Sequence, residues 1–274
     1  GAIHAFLAQG ILPREIAVVA SELEHAAVSE TLARGTPEGI LRMILPAPDG
    51  VVDTKGLLFA PEIKAVLVSV MYVNNEIGTV QPIKDIAKAL RRIRKVRPEL
   101  QIIFHVDATQ APLHYSLNVA QLGIDLMTLG ATKLYTPKGV GVLYKRRPVK
   151  LSPLMYGGGQ ERGLRPGTES VELIHQFAHA LFYADSMREA ETMRVAQLQQ
   201  YFEQQIQTRF PDIRITCKDL PRTPHITHIA IPRMDSELLV IELDARGIAV
   251  SAKSACKNDL PALLRQEQAG EDSE

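Results

Sequence analysis

The 274-residue sequence predicts an α/β protein followed by a second, smaller α+β unit. Three observations carry this. Short β-branched runs alternate with amphipathic stretches through the N-terminal part. The segment from Pro82 to Val96 sets Ile83, Ile86, Ala87, Leu90 and Ile93 on one face and most of its charges on the other, as a helix packed on a sheet requires. A long polar helical stretch then leads to another group of short apolar runs.

In chain order, GAIHAFLAQG reads as a helix, with Ile3, Phe6 and Leu7 at helical spacing and Gly10 as its stop. No capping residue precedes it, so the chain reads as starting inside a helix. Strands are expected at IAVVAS (16–21), AVLVSVMYV (65–73), QIIFHVDAT (101–109), LMTLGAT (126–132) and GVGVLYKR (139–146). The RRIRKVR end of the Pro82–Val96 helix reads as a solvated cationic face at a helix C-terminus, because no aromatic residues interleave it as in a nucleic-acid surface. A long helix is expected from about Glu169 through MREAETMRVAQLQQYFEQQIQ. RITCK, HITHIAIP and IAVSAKSAC follow as strands, with DSELLVIELDARG between the last two as a helix ended by Gly247. We place a boundary near residue 188, giving a large domain over 1–188 and a small one over 189–274. The end, LPALLRQEQAGEDSE, starts as an amphipathic helix and decays into a frayed acidic tail.

Composition narrows the function classes. Mean hydropathy near zero and 46% hydrophobic residues exclude wholesale disorder. Thirty-one basic residues balance thirty-one acidic ones, so no global charge draws the chain to nucleic acid or an anionic membrane, and no direct nucleic-acid binding is expected. No apolar run approaches the roughly 20 residues of a membrane span, and no leader pattern opens the chain. The two cysteines, Cys217 and Cys256, lie well apart, which argues against a disulfide framework. These features predict a cytoplasmic protein.

Several polar residues stand where strands end. Asp107 closes a strongly apolar strand, the place where open α/β sheets put ligand-contacting groups; its structural alternative is a turn or cap carboxylate. His105 and Asp107 alone are a thin basis for a metal site. Lys133 follows another strand and precedes a glycine-rich turn; if buried, its amine would lose basicity and could attack an aldehyde. His25 follows a strand end and opens a helix, and Asn74 and Asn75 end a further strand. YGGGQERGLRPGT combines close backbone approach with Arg162, Arg165 and Thr168, a pattern suited to a phosphate without being a dinucleotide fingerprint. Cys256 sits among small residues beside Lys253 and Lys257, which favours its thiolate, whereas Cys217 in RITCK reads as a buried structural thiol. His175 and His179 are spaced i, i+4 but lack the glutamate of a zinc protease motif, so packing is their expected role.

Taken together, SELEH, VNNEIGTVQPI, HVDATQ, the Lys133 turn with PKGVGVLY, GGGQERGLRPGT and SAKSAC resemble, in order and approximate spacing, the cysteine desulfurases of the class V aminotransferase family. The resemblance implies a three-layer α/β/α large domain around a mainly parallel mixed sheet, binding pyridoxal phosphate, and a small C-terminal domain. It also implies roles. Lys133 would hold the cofactor aldehyde covalently and later move protons. Asp107 would face the pyridine nitrogen, His25 would stack on the ring, Gln110 would contact its phenolic oxygen, and Asn75 would orient the ring or substrate carboxylate. Thr168 would reach the phosphate of the neighbouring subunit's cofactor in a homodimer. Cys256 would take sulfur from the substrate L-cysteine, leaving L-alanine and a persulfide for a sulfur-acceptor protein in iron–sulfur or thio-cofactor assembly.

Departures from the family pattern are equally legible. Gly130 and Thr132 stand where the family has a hydroxyl residue and a histidine. The Gly-Thr phosphate cup before the first helix and the arginine for the substrate carboxylate are not in the chain, so it reads as incomplete at both ends. Two classes of function follow: a desulfurase represented in part, or a degenerate relative acting as a scaffold. Retention of Lys133, Asp107, His25 and Cys256 favours the first.

Overall fold

The structure is a computed structural model that describes residues 1–252. Among these, helix α1 (Ala2–Ala8) leads to strand β1 (Ile16–Ser21), helix α2 (Ala26–Gly35) and strand β2 (Leu41–Leu45). Strand β3 (Ala65–Met71), helix α3 (Ile83–Val96), strand β4 (Gln101–Asp107), the one-turn helix α4 (Val119–Leu122) and strands β5 (Leu126–Gly130) and β6 (Gly141–Lys145) complete the large sheet. Its order is β2-β1-β3-β4-β5-β6. The first five strands run parallel and β6 is antiparallel to β5, the mainly parallel mixed sheet expected.

Alternation along the strands divides the core into two layers. Val66, Val68 and Val70 of β3 and Ile102, Phe104 and Val106 of β4 face α3, where Ile83, Ile86 and Leu90 are buried. Each of those three side chains contributes about 1.5–3 kcal/mol of burial before entropy. On the opposite face, Ile16, Val18, Leu67 and Ile103 pack on Ile3 and Phe6 of α1. Both faces are therefore covered, as parallel strands with no polar side demand.

The RRIRKVR end departs from the solvated face expected of it. Arg94 turns inward to bond the Ile102 carbonyl at 2.7 Å and Asp125 at 2.5 Å. Arg97 donates to the carbonyls of Phe59, Ala60, Pro61 and Ile63, closing the loop before β3. Strand β2 was not expected: LRMIL is a short run at the sheet edge with most of its residues exposed, so neither its length nor an alternation of apolar and polar positions marks it as a strand.

Beyond the sheet, helix α5 (Val171–Arg209) runs unbroken past residue 188, burying Phe177 and Ala184 against the large-sheet core. The later strands are shorter than expected. β7 (Arg214–Ile215) and β8 (Ile229–Ala230) are two-residue antiparallel partners. Cys217 lies past β7 in a left-handed turn (φ 54°), half-buried, rather than inside a strand. Helix α6 (Ser236–Asp244) is capped by Asp235 and followed by Gly247 at φ 76°, but residues 248–250 form no strand. His175 and His179 are exposed on α5, not packed. Among the described residues no helix is long and apolar enough to cross a membrane.

Candidate functional site

The strand order turns back at β1, whose neighbours are β2 and β3. In open α/β sheets such a switch opens a crevice beyond the C-terminal strand ends, where ligands bind. His25, Asn75, Asp107 and Gln110 follow or close β1, β3 and β4 at that edge, and Lys133 follows β5 there.

Asp107 is the last residue of β4 and pairs with Met71 of β3 and Thr128 of β5. Its Oδ1 accepts from the Thr109 amide at 3.0 Å and the Thr109 hydroxyl at 2.6 Å. The carboxylate is thus held by its own turn while remaining half-buried at the edge. His105, two residues earlier, bridges neighbouring strands: Nδ1 lies 2.8 Å from Ser69 Oγ and Nε2 lies 3.3 Å from Thr128 Oγ1. Burial lowers its pKa, partly opposed by the charge of Asp107.

His25 is the N-cap of α2, its Nδ1 accepting from the Ala27 amide at 3.1 Å. That bond places the proton of the neutral ring on Nε2. Asn75 is half-buried, but the residue that builds its loop is Asn74. Asn74 donates to the Leu23 carbonyl at 3.2 Å and accepts from the amides of Glu76 and Ile77, so the segment ahead of His25 and the end of β3 are tied together.

Lys133 lies in a 3-10 turn, Ala131–Leu134, that continues β5 and packs beneath α5. It is exposed rather than buried. Its charge reaches His225, whose pKa is pushed down to about 4, first by burial, then by His114 and Lys133. Gln110 is half-buried directly after the Asp107 turn. Thr168 and Arg165 lie on an exposed loop before α5, and Arg162 adopts a left-handed conformation in a 3-10 turn there. Cys256, Lys253 and Lys257 lie outside the described residues.

Sequence reasoning missed Glu24. It is 6% exposed, and its Oε1 accepts from Ser21 Oγ and the Met71 amide, both at 2.6 Å. Burial raises its pKa to about 7; its two hydrogen bonds oppose that rise and the charge of Asp107 adds to it. A hollow of about 440 Å³ lined by Gln9, Lys145, Lys150 and Arg162 lies at the other end of the sheet, where Lys145 pairs with Leu126 at the start of β5.

The model of the family described as aminotransferase class-V matches residues 2–269. The chain belongs to that family. It is 35% identical over 242 residues to the cysteine desulfurase IscS of Dictyoglomus turgidum, covering 88% of this chain and 60% of that protein. The Azotobacter vinelandii IscS is 36% identical over 242 residues, covering 87% and 57%. The chain therefore spans about three fifths of the length of these curated relatives. Among solved structures, a NifS-like protein superposes with a TM-score of 0.80 at 30% identity, covering 91% of this chain and 68% of its own. A structure of SspA in complex with cysteine gives 0.69 at 27% identity, covering 93% and 71%. The class V α/β fold is thus shared along nearly all of the chain.

Proposed function

We propose that this chain acts in a pyridoxal phosphate-dependent cysteine desulfurase, converting L-cysteine to L-alanine and keeping the sulfur as an enzyme persulfide. The observation that carries the reading is the convergence of Asp107, His25 and Lys133 at the C-terminal edge of a class V sheet. The cysteine held by the related SspA structure supports the choice of substrate.

The residues present fit the cofactor. The Asp107 carboxylate, with Oδ1 already occupied by Thr109, suits a protonated pyridine nitrogen. The capped imidazole of His25 suits the ring face, Gln110 the phenolic oxygen and Asn75 the ring or substrate carboxylate. The exposed amine of Lys133 suits the aldehyde, and Thr168 the phosphate of a partner subunit's cofactor. When bound, pyridoxal phosphate supplies an electron sink beside the substrate's α-carbon.

The chain's own groups do the rest. His25 holds its Nε2 proton, Lys133 carries protons as a free amine, and Cys256 receives the sulfur. In that transfer the Cys256 thiolate forms an S–S bond as the substrate's C–S bond breaks. The electrons of that bond stay on carbon, which takes a proton to become the methyl group of alanine. A homodimer, a sulfur-acceptor protein, delivery to iron–sulfur or thio-cofactor assembly and a cytoplasmic site belong to the same reading.

The test is optical. Pyridoxal phosphate added to the full-length protein gives a visible band from covalent attachment, and Lys133→Ala abolishes it. A band unchanged in the variant overturns the reading.

A further inference from the structure

We propose that Glu24 is a positioning residue at the strand-order switch, a neutral carboxylic acid that releases its proton when a pyridinium cation settles against Asp107. The inference rests on the reading that such a ring binds there.

Glu24 lies between the two ends that the switch brings together. Its Oε1 accepts hydrogen bonds from the Ser21 hydroxyl at the end of β1 and from the Met71 amide at the end of β3. Met71 is the register partner of Asp107, and the amide of Tyr72 donates to the Asp107 carbonyl at 2.8 Å. One carboxyl oxygen therefore joins the segment carrying His25 to the strand pair carrying Asp107. The other oxygen, Oε2, is buried without a hydrogen-bond partner among the described residues. With Oε1 committed to two donors, the proton of the neutral acid belongs on Oε2.

The surroundings explain why Glu24 keeps that proton. On its own segment, Glu22 is turned away to accept from the Ala47 amide, and the Nδ1 of His25 is engaged by Ala27. From β3 comes the Met71 amide. From β4 comes the negative charge of Asp107, while His105 is occupied by Ser69 and Thr128. Burial is the first reason that Glu24 keeps its proton, against the pull of its two hydrogen bonds, and the charge of the half-buried Asp107 adds to it. A pyridinium set against Asp107 offsets that added charge and shifts Glu24 toward its anion. The Glu24 O–H bond then breaks, its electron pair stays on oxygen, and the proton passes to solvent buffer.

The experiment is calorimetric titration of the full-length protein near pH 7 with 4-deoxypyridoxine 5′-phosphate. This probe has the ring and phosphate but no aldehyde, so Lys133 stays unmodified. Heats measured in two buffers of different ionisation enthalpy give the protons exchanged. A group titrating near 7 is half-protonated there, so wild type releases up to about half a proton more per site than Glu24→Gln. Tight binding with equal proton counts in the two proteins overturns the proposal. Failure of the probe to bind wild type counts against the functional reading instead. Carbon-13 carboxyl resonances of the ligand-free wild type then decide the role of Glu24, as they do if the variant does not fold. A Glu24 midpoint near 7 that also perturbs the Asp107 resonance supports the proposal, and an ordinary carboxylate midpoint overturns it.

Discussion

The imidazole rings of His114 and His225 stack with centroids 4.7 Å apart and planes 21° from parallel. His114 lies beyond β4 and His225 between β7 and β8, so the stack joins the large sheet to the segment that carries the small one. Thr192 of α5 holds His114 Nδ1 at 3.0 Å, and Thr223 holds His225 Nδ1 at 2.8 Å. Burial lowers both pKa values, and for His225 the stacked partner and Lys133 lower it further, to about 4.

This stack makes stability sensitive to acid. The unfolded chain takes up the His225 proton near pH 6.5 and the folded chain only near 4. Its contribution is therefore fully present above about 6.5 and is lost as pH falls toward 4, on the order of 3 kcal/mol at most. Glu24 acts in the opposite sense: its raised pKa gives stability below 4.5 that is lost as pH rises through about 7. The comparison must therefore be wild type against His225→Gln, by urea unfolding at several pH values. The gap between them narrows as pH falls below 6.5; a gap that does not change with pH contradicts the assignment.

Asp125 is the buried centre of a charge network. Its carboxylate is 1% exposed and meets Arg94 at 2.5 Å, Arg146 at 2.6 Å and the Phe104 amide at 2.9 Å. α3, β4 and the residue after β6 thus converge on one side chain. Asp125→Ala removes the shared counter-ion of Arg94 and Arg146, both of which still reach water, and leaves the buried Phe104 amide without its acceptor. It should cost about 2–3 kcal/mol, read as a fall in the urea midpoint. A loss below about 1 kcal/mol, typical of an exposed pair, would show that solvent screens the network.

The strands and the stripe of α3 were legible because apolar periodicity reports burial directly. Asp107, His25 and Lys133 stood out because polar groups at apolar strand ends break that pattern. Glu24 gave no such signal, since its decisive partner, the Met71 amide, is brought near only by the parallel pairing of β1 and β3. The His114–His225 stack depends in the same way on distant segments meeting. Arg94 and Arg97 were legible in principle. They continue the stripe of Ile83, Ile86 and Leu90 at helical spacing, which marks them as inward-facing amid a run of otherwise similar charges.

Gly130 is constrained by the Asp107 turn. A Cβ at this position lies 3.2 Å from the Cγ2 methyl of Thr109, whose hydroxyl and amide hold Asp107 Oδ1. Gly130→Ala must displace that methyl, at a cost of about 1 kcal/mol. Thr109→Ser removes the methyl and keeps the hydroxyl bond, so in the double variant most of the cost should vanish. Thermal unfolding of the four proteins checks this, and strictly additive losses would show that the methyl is not what the new side chain meets.

The two cysteines should separate cleanly in the full-length protein. The thiol of Cys217 is half-buried against the core and donates to the Asp49 carbonyl at 3.6 Å, in a left-handed turn beside Gly50. Such a thiol is held in place, whereas one that receives sulfur from a substrate and hands it on must ionise and move. In sequence, Cys256 lies between Lys253 and Lys257 in a run of small residues. Cys256→Ser should therefore abolish sulfide release from L-cysteine, by a factor of at least about 100, while the absorbance of bound pyridoxal phosphate persists. Cys217→Ser keeps the space filled and should leave both readouts within about twofold of wild type, because its hydroxyl can still donate to Asp49. If the Cys256 variant kept full activity, sulfur would leave without passing through this thiol. The enzyme would then be a lyase expelling sulfide directly, and the persulfide step would fall while the cofactor site stood.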